Sequence, residues 1–241
     1  MKRPEEIRTA PREWERVLQV AYEFLRKKQS IGDLVLFGSQ AMSIYMRNPL
    51  RSKDLDLLSN QVSPRQIDSL AVELTRLENV QTRATSVQTR MFADRKMTTH
   101  AIELRIGGVP FFLEVFNKIL DGRPTSLLDP YLELKKRWSL EIWTPSLEAT
   151  VALRLAFRQP EGISRLNAIR LNRLIQENRR TLNFPQVHSI LQKWGIQKWV
   201  EGNLLALYRR NRIRILKDNK ILPGLELKIS HPAQRPVNRE P

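Results

Sequence analysis

Apolar residues recur at helical spacing from the first proline-bounded segment. Trp14, Val17, Leu18, Ala21, Tyr22 and Leu25 share one face of a helix predicted over 11–29, and Pro11 suits its first turn. The pattern then shortens. Asp33-Leu34-Val35-Leu36-Phe37 is a compact apolar run ending at Gly38 and predicts a buried strand. Residues 39–46 read as a helix starting directly after it, with Ser39 as candidate N-cap, and Asn48-Pro49 closes it. A second strand follows in Lys53-Asp54-Leu55-Asp56-Leu57-Leu58. Ser63-Pro64 opens a further helix to about Glu78. Residues 81–99 are polar and ambiguous. His100 to Ile106 alternates like a half-buried strand, Gly107-Gly108 signals a turn, and Pro110 to Phe116 supplies the partner strand of a hairpin.

From 117 to 145 the text reads as a connector punctuated by Pro124, Pro130 and Pro145. After Pro145 helical patterning takes over. Ser146 caps a helix beginning SLEATVALRLAF, an arginine-rich helix covers 163–180, and one or two more cover 186–218. The tail from Pro223 is proline-bearing and poor in apolar residues, which predicts disorder at its end. The expected architecture is α+β. A mixed β-sheet flanked by helices spans 1–144, a basic helical domain spans 145–222, and 223–241 form the tail.

Composition narrows the chemistry. A hydrophobic fraction of 41% is ordinary for a chain that buries a core. There is no cysteine, so neither a disulfide nor a thiolate zinc site can form. His100, His188 and His231 have no ligand-like spacing. The N-terminus is charged from its first residues, unlike a signal peptide, and no run of 18 apolar residues exists. A cytoplasmic protein without membrane association is expected. The net charge of +16 is uneven: 146–241 carry 18 basic and 7 acidic side chains. Such a half attracts polyanions, either nucleic acid or an anionic membrane surface, with solubility as the plainer role. Arg179-Arg180 and the cluster from Arg209 to Lys217 are its densest parts. Trp138, Trp143, Trp194 and Trp199 could stack on bases, with packing as the simpler role.

Asp54 and Asp56 stand two apart on a predicted strand, so both carboxylates project from one face while Leu55 and Leu57 point into packing. Two such carboxylates are costly side by side unless a cation lies between them. Mg²⁺ or Mn²⁺ suits hard oxygen ligands and leaves room for phosphate. Pairing with Lys53 or Arg51 is the plainer alternative. Upstream, Gly38 allows close backbone approach, and Ser39 sits where helical N–H groups could meet phosphate.

The string LFGSQAMSIYMRNPLRSKDLDLL resembles the signature of the polymerase-β-like nucleotidyltransferase superfamily: Gly-Ser at a helix start, then Asp-x-Asp and apolar residues. Within it, Gly-Ser-Gln-Ala-Met and Arg-Ser-Lys-Asp-Leu-Asp-Leu-Leu look closest to minimal nucleotidyltransferases, including toxins of type IV abortive-infection toxin–antitoxin systems. The resemblance covers about 35–60 closely and 35–180 loosely. It implies transfer of a nucleoside monophosphate from a nucleoside triphosphate to an acceptor, and RNA such as tRNA fits the basic C-terminal half. It also raises an antitoxin as a partner. It implies a third carboxylate on a later strand, for which Glu114 in PFFLEVF is the candidate and Glu103 the runner-up, each a Glu where Asp is usual. Asp54, Asp56 and Glu114 would then hold the metal, with a pair of ions about 3.5–4 Å apart in such sites. Gly38, Ser39 and Lys53 would lie on the nucleotide. Arg154 stands where relatives carry Lys, Arg165 follows, and the Lys-Asp pair of the next helix is missing from SRLNAIRLNRL. That departure opens a second reading: a fold that has lost its chemistry and serves as a basic nucleic-acid adaptor.

Overall fold

The computed structural model describes residues 11–26, 34–50, 52–92, 94–137, 139–156, 165–209, 220–222 and 225–226. Helix α1 (Pro11–Arg26) leads to strand β1 (Val35–Leu36), helix α2 (Gly38–Ile44) and strand β2 (Asp54–Leu58). Next come α3 (Pro64–Leu74), β3 (Val80–Phe92), β4 (Arg95–Ile106) and β5 (Val109–Phe116). A two-stranded ribbon, β6 (Lys118–Ile119) with β7 (Arg123–Pro124), and a 3-10 segment (Thr125–Tyr131) connect to β8 (Leu132–Arg137) and β9 (Leu140–Pro145). Helices α4 (Leu147–Leu155), α5 (Arg165–Glu177), α6 (Phe184–Lys193) and α7 (Gln197–Arg209) follow. A short antiparallel pair, Lys220–Leu222 with Leu225–Glu226, ends the described chain.

Seven strands form one mixed sheet in the order β3-β4-β5-β2-β1-β9-β8. The β2–β5 and β1–β9 pairs are parallel; the other neighbours are antiparallel. Alternation along each strand divides the apolar residues between two cores. Leu36, Leu55, Leu57, Leu113 and Val115 face one side, where α1 brings Leu18 and Leu25 and α3 brings Leu70 and Leu74. Val35 and Leu58 face the other, packed on Met42 of α2 and on α4 to α7. A fully buried leucine contributes about 1.5–3 kcal/mol. Leu57, fully buried at the sheet centre, would lose roughly 2–5 kcal/mol on truncation to alanine. The second core contains residues from both sides of Pro145, so packing runs across that proline without a break.

Local signals explain most element ends. Ser63 and Gln66 form a reciprocal capping box at α3, behind Pro64 in the first turn. Ser146 accepts from the Ala149 N–H and opens α4, as its position predicts. Gly107 and Gly108 have φ of 55° and 82°, the positive pair a two-residue hairpin turn needs between β4 and β5.

Three readings are corrected. The 117–145 connector contains two sheet strands. Pro124 ends β7 and Pro145 ends β9, while Pro130 is accommodated inside the 3-10 segment. Between them Ile142 and Thr144 alternate inward, and β9 lies parallel to β1. Residues 81–99 belong to the long β3–β4 hairpin, and β3 is exposed along most of its length, so no burial alternation marks it. Ser39 is not the cap of α2. Phe37 occupies that position, without a side-chain cap bond, and Ser39 lies inside the helix. The tryptophans take the packing role: Trp194 is buried, and Trp143 and Trp199 pack on the same core. Trp138 and 210–219 lie outside the described residues, and with them most of the Arg209–Lys217 cluster. No described helix is long and apolar enough to cross a membrane.

Candidate metal and nucleotide site

Strand β2 carries Asp54 and Asp56 on the face turned away from Leu55 and Leu57. Its parallel neighbour β5 pairs Asp56 with Glu114 and Asp54 with Phe112. Register alone therefore brings the three carboxylates together. One oxygen from each of Asp54, Asp56 and Glu114 lies within 4.8 Å of the others, and the three could hold a metal ion. Glu103 stands opposite Phe112 on β4 and is not part of this cluster.

Asp56 is the innermost member, 9% exposed. Burial first, then the charges of Asp54 and Glu114, pushes its carboxyl up to about 8. Arg154 and the Ser39 backbone N–H pull it the other way. Glu114 is also raised, by burial and by Asp54, although a hydrogen bond with Asp56 and the charge of Arg90 oppose the rise. The protons so retained mark surplus negative charge. A donor set of three carboxylates, all hard oxygen ligands, fits a divalent Mg²⁺ or Mn²⁺ ion.

Gly38 backs the cluster. Its φ is +65°, and a Cβ there would lie 1.6 Å from Asp56 Oδ2. The main chain of α2 thus presses directly on the carboxylate, and only glycine permits it. The Phe37 N–H donates to the Asp56 carbonyl at 2.9 Å, fixing this approach.

The loop from α2 into β2 is held by buried polar side chains. Gln40 Nε2 donates to Ser52 Oγ (3.1 Å), and Ser52 Oγ donates to the Asp54 carbonyl (2.7 Å). Ser43 Oγ donates to the Ser39 carbonyl and accepts from the Leu50 N–H. Because these groups are buried, each missing bond would leave a desolvated polar atom costing about 1–3 kcal/mol. Lys53 is exposed beside Asp54, and its carbonyl accepts from the Phe112 N–H.

Two arginines stand beside the cluster. Arg154 stands in the last turn of α4. Burial and the neighbouring Arg170 weaken its hold on its proton, while Asp56 and Asp54 strengthen it. Arg170 of α5 donates to Ser39 Oγ at 3.1 Å. Three residues on, Arg173 donates to the Asn48 carbonyl and pairs with Glu177, whose carboxylate also accepts from the Arg47 N–H. Arg170 and Arg173 thus share the α5 face turned to α2. Arg165 opens α5, with its side chain outside the described residues. Arg170 and the Gln40–Ser52 tie are the site features that pattern reading passes over. In a helix with three arginines, periodicity does not say which one meets Ser39.

No protein-family model matches the sequence, and no curated protein matches it. Among solved structures, the crystal structure of an antigenic nucleotidyltransferase-like protein from Paracoccidioides brasiliensis is similar at 18% identity, over 76% of this chain and 88% of that one, with a TM-score of 0.38.

Proposed function

We propose that this chain is a metal-dependent nucleotidyltransferase, moving a nucleoside monophosphate from a nucleoside triphosphate to an RNA acceptor. The observation that carries this reading is the meeting of Asp54, Asp56 and Glu114 within 4.8 Å, against a Gly38 that admits no side chain. The Gly-Ser and Asp-x-Asp strings that resemble the nucleotidyltransferase signature supply exactly two of the three carboxylates and that glycine.

Asp54, Asp56 and Glu114 would hold Mg²⁺ or Mn²⁺. When bound, the ion supplies charge neutralisation for a triphosphate and for the pyrophosphate that leaves. Arg154, within the field of Asp56 and Asp54, and Arg170, beside it on Ser39, are positive charges where phosphate oxygens would find donors. Ser39 Oγ, held by Arg170, would orient the same phosphates. Glu114 is half-buried at the edge of the cluster, beside Asp56 in register. It would take the proton of the acceptor hydroxyl as its oxygen bonds to the α-phosphorus and the pyrophosphate bond breaks.

One observation favours the adaptor reading instead: the Ser39 N–H already serves Asp56 and its hydroxyl already accepts from Arg170. A single assay separates the two. Purified chain is incubated with Mn²⁺ or Mg²⁺, each α-labelled nucleoside triphosphate and total RNA, beside the Asp54→Ala/Asp56→Ala variant. The transferase reading expects labelled RNA from the wild type alone. Absence of label on RNA with every nucleotide refutes it. RNA binding that survives the double substitution then supports the adaptor. Growth arrest on expression, relieved by Asp56→Ala, is the outcome expected of a toxin.

A further inference from the structure

The seven-stranded sheet has two free edges, and they differ. β8 runs over six residues and β3 over thirteen. Every side chain of β3 over 83–91 is exposed. Its register with β4 shifts between Thr82 and Ala84, then runs unbroken over 84–92. β5 follows β4 from Ile106 to Thr99, so 90–92 and 95–97 reach past it as a two-stranded ribbon. Half of the backbone N–H and C=O groups of an edge strand point away from its neighbour, ready to continue the ladder. Folded chains commonly blunt such an edge with proline, a short strand or several charges. The stretch 84–92 carries no proline and one charge, Arg90.

Alternation sorts the side chains of this stretch into two rows. Ser86, Gln88 and Arg90 lie on the face of Glu114, whose register row continues through Ala101 to Ser86. Thr85, Val87, Thr89 and Met91 lie on the face of α3, where the Thr85 hydroxyl donates to Asp68 at 2.7 Å. Farther along that row Val87 is 51% and Met91 63% exposed. Two large apolar side chains thus alternate along an open edge, with no strand beyond them among the described residues. Further basic charges flank the stretch: Arg83 at the register shift, Arg95 and Lys96 past the turn. Over 80–106, five basic side chains stand against two acidic ones.

We propose that 84–92 is a docking edge for an extended acidic segment of a partner protein, which adds a strand to β3. Its apolar residues would cover Val87 and Met91 on the α3 face. Its carboxylates, alternating with them, would meet Arg90 on the other. Ladder bonds give such strand addition its affinity, and the alternating side chains give it selectivity. The charge of the edge decides among occupants. A second copy would bring a net charge of +16 against +16. A nucleic acid would meet the arginines but has no peptide groups to continue the ladder. An acidic peptide satisfies both the backbone and the charge. The added strand would stand three strand spacings from β5, roughly 14 Å. It leaves the carboxylate cluster uncovered, so this docking holds whether or not the transferase reading does.

The test uses the full chain and dye-labelled nonapeptides: alternating Glu and Val, alternating Lys and Val, and the Glu-Val sequence N-methylated at alternate residues. Binding is read by anisotropy, and backbone amide exchange is followed residue by residue by NMR with and without peptide. The Glu-Val peptide should bind and slow exchange at alternate amides over 84–92, roughly tenfold at ten times its Kd, with β8 unaffected. The Lys-Val and N-methylated peptides should bind roughly tenfold or more weakly, through reversed charge pairs and lost ladder bonds. Val87→Ser/Met91→Ser should weaken Glu-Val binding roughly two- to thirtyfold, the loss of two cross-strand apolar pairs. Both side chains are exposed, so the urea midpoint and Mn²⁺ affinity should stay unchanged. If that midpoint falls, Arg90→Glu decides instead, by turning the preference from Glu-Val toward Lys-Val. Glu-Val binding without slowed exchange in β3 overturns the proposal. So does equal binding of the N-methylated or Lys-Val peptide, or no binding at millimolar peptide. Protection of the same amides in the free chain, with a dimer in light scattering, gives the edge to a second copy and overturns it as well. Protection of those amides by single-stranded RNA does the same. Mn²⁺ binding, measured on the same samples, reports separately on the transferase reading.

Discussion

Replacing Gly38 by alanine tests the site at its tightest point. The left-handed backbone, φ +65°, costs an L-residue about 1–2 kcal/mol. The new methyl would stand 1.6 Å from Oδ2, 2.5 Å from Cγ and 2.8 Å from Cβ of Asp56. Rotating the carboxylate relieves the first two contacts. The third atom is fixed to β2 at the sheet centre, so backbone must move as well, and overpacking of this kind costs about 1–3 kcal/mol. Gly38→Ala should therefore destabilise the chain by roughly 2–5 kcal/mol. In whatever folds, Asp56 is pushed out of the cluster. Urea unfolding and a Mn²⁺ titration read the two effects; the expected result is a lower midpoint and at least a tenfold loss of Mn²⁺ affinity. The decisive comparison is a double-mutant cycle with Asp56→Ala, which removes Oδ2 and Cγ. On that background Gly38→Ala should cost about 1 kcal/mol less or better. Equal costs on both backgrounds would refute the contact.

The remaining predictions concern charge and capping. Because Asp56 is raised from 3.8 to about 8, the metal-free native state holds a proton that the unfolded chain gives up. Stability is thus fully present below about pH 4 and is lost as pH rises toward 8. Asp56→Asn should flatten that slope in urea unfolding carried out with chelator, and added Mn²⁺ should flatten it in the wild type. His100 behaves oppositely: burial lowers its pKa from 6.5, and its buried Nδ1 has no hydrogen-bond partner among the described residues. Its contribution is present above pH 6.5 and is lost as pH falls below it, so His100→Phe should flatten the acid limb of the stability profile. Arg170→Ala should weaken nucleoside triphosphate binding roughly ten- to a hundredfold by calorimetry, the worth of a charged hydrogen bond, with Mn²⁺ binding retained. Ser146→Ala should lower stability by about 1 kcal/mol in thermal unfolding and leave Mn²⁺ affinity unchanged.

Much of the site can be read from the chain because its parts lie on short, strongly patterned elements. A strand ending in Gly-Ser and a strand reading Asp-x-Asp announce themselves through alternation and through a glycine at a turn into a helix. Glu114 is legible as a charge flanked by apolar residues. What the sequence leaves open between Glu114 and Glu103 is a matter of register, since both face the same side of the sheet. Only the pairing of Asp56 with Glu114 decides it. Ser39 illustrates the reverse. A serine after a strand looks like a cap, yet Phe37 takes the cap position, and Ser39 lies inside the helix, turned inward to Asp56 and Arg170. Strands β8 and β9 escape notice because Pro130 and Pro145 read as breakers, although the one lies in a 3-10 segment and the other at a strand terminus. Long-range partners such as Arg170, 131 residues from Ser39, leave no local signal.

The balance of charge at Asp56 bears on what the cluster is for. A buried carboxylate facing arginine would ordinarily ionise readily, and Arg154 does favour the charged form. Yet Asp56 remains far above the usual carboxylate range, and Glu114 is raised beside it. The arginine therefore does not neutralise the cluster. Part of its field is set against Arg170, which lowers the pKa of Arg154 in turn. A purely structural ion pair would place one guanidinium between two carboxylates and satisfy both. Here three carboxylates crowd together, Arg154 shares its field with Arg170, and Gly38 stands where any Cβ would strike Asp56. Such an arrangement is unfavourable by itself. It becomes favourable when a divalent cation joins the carboxylates.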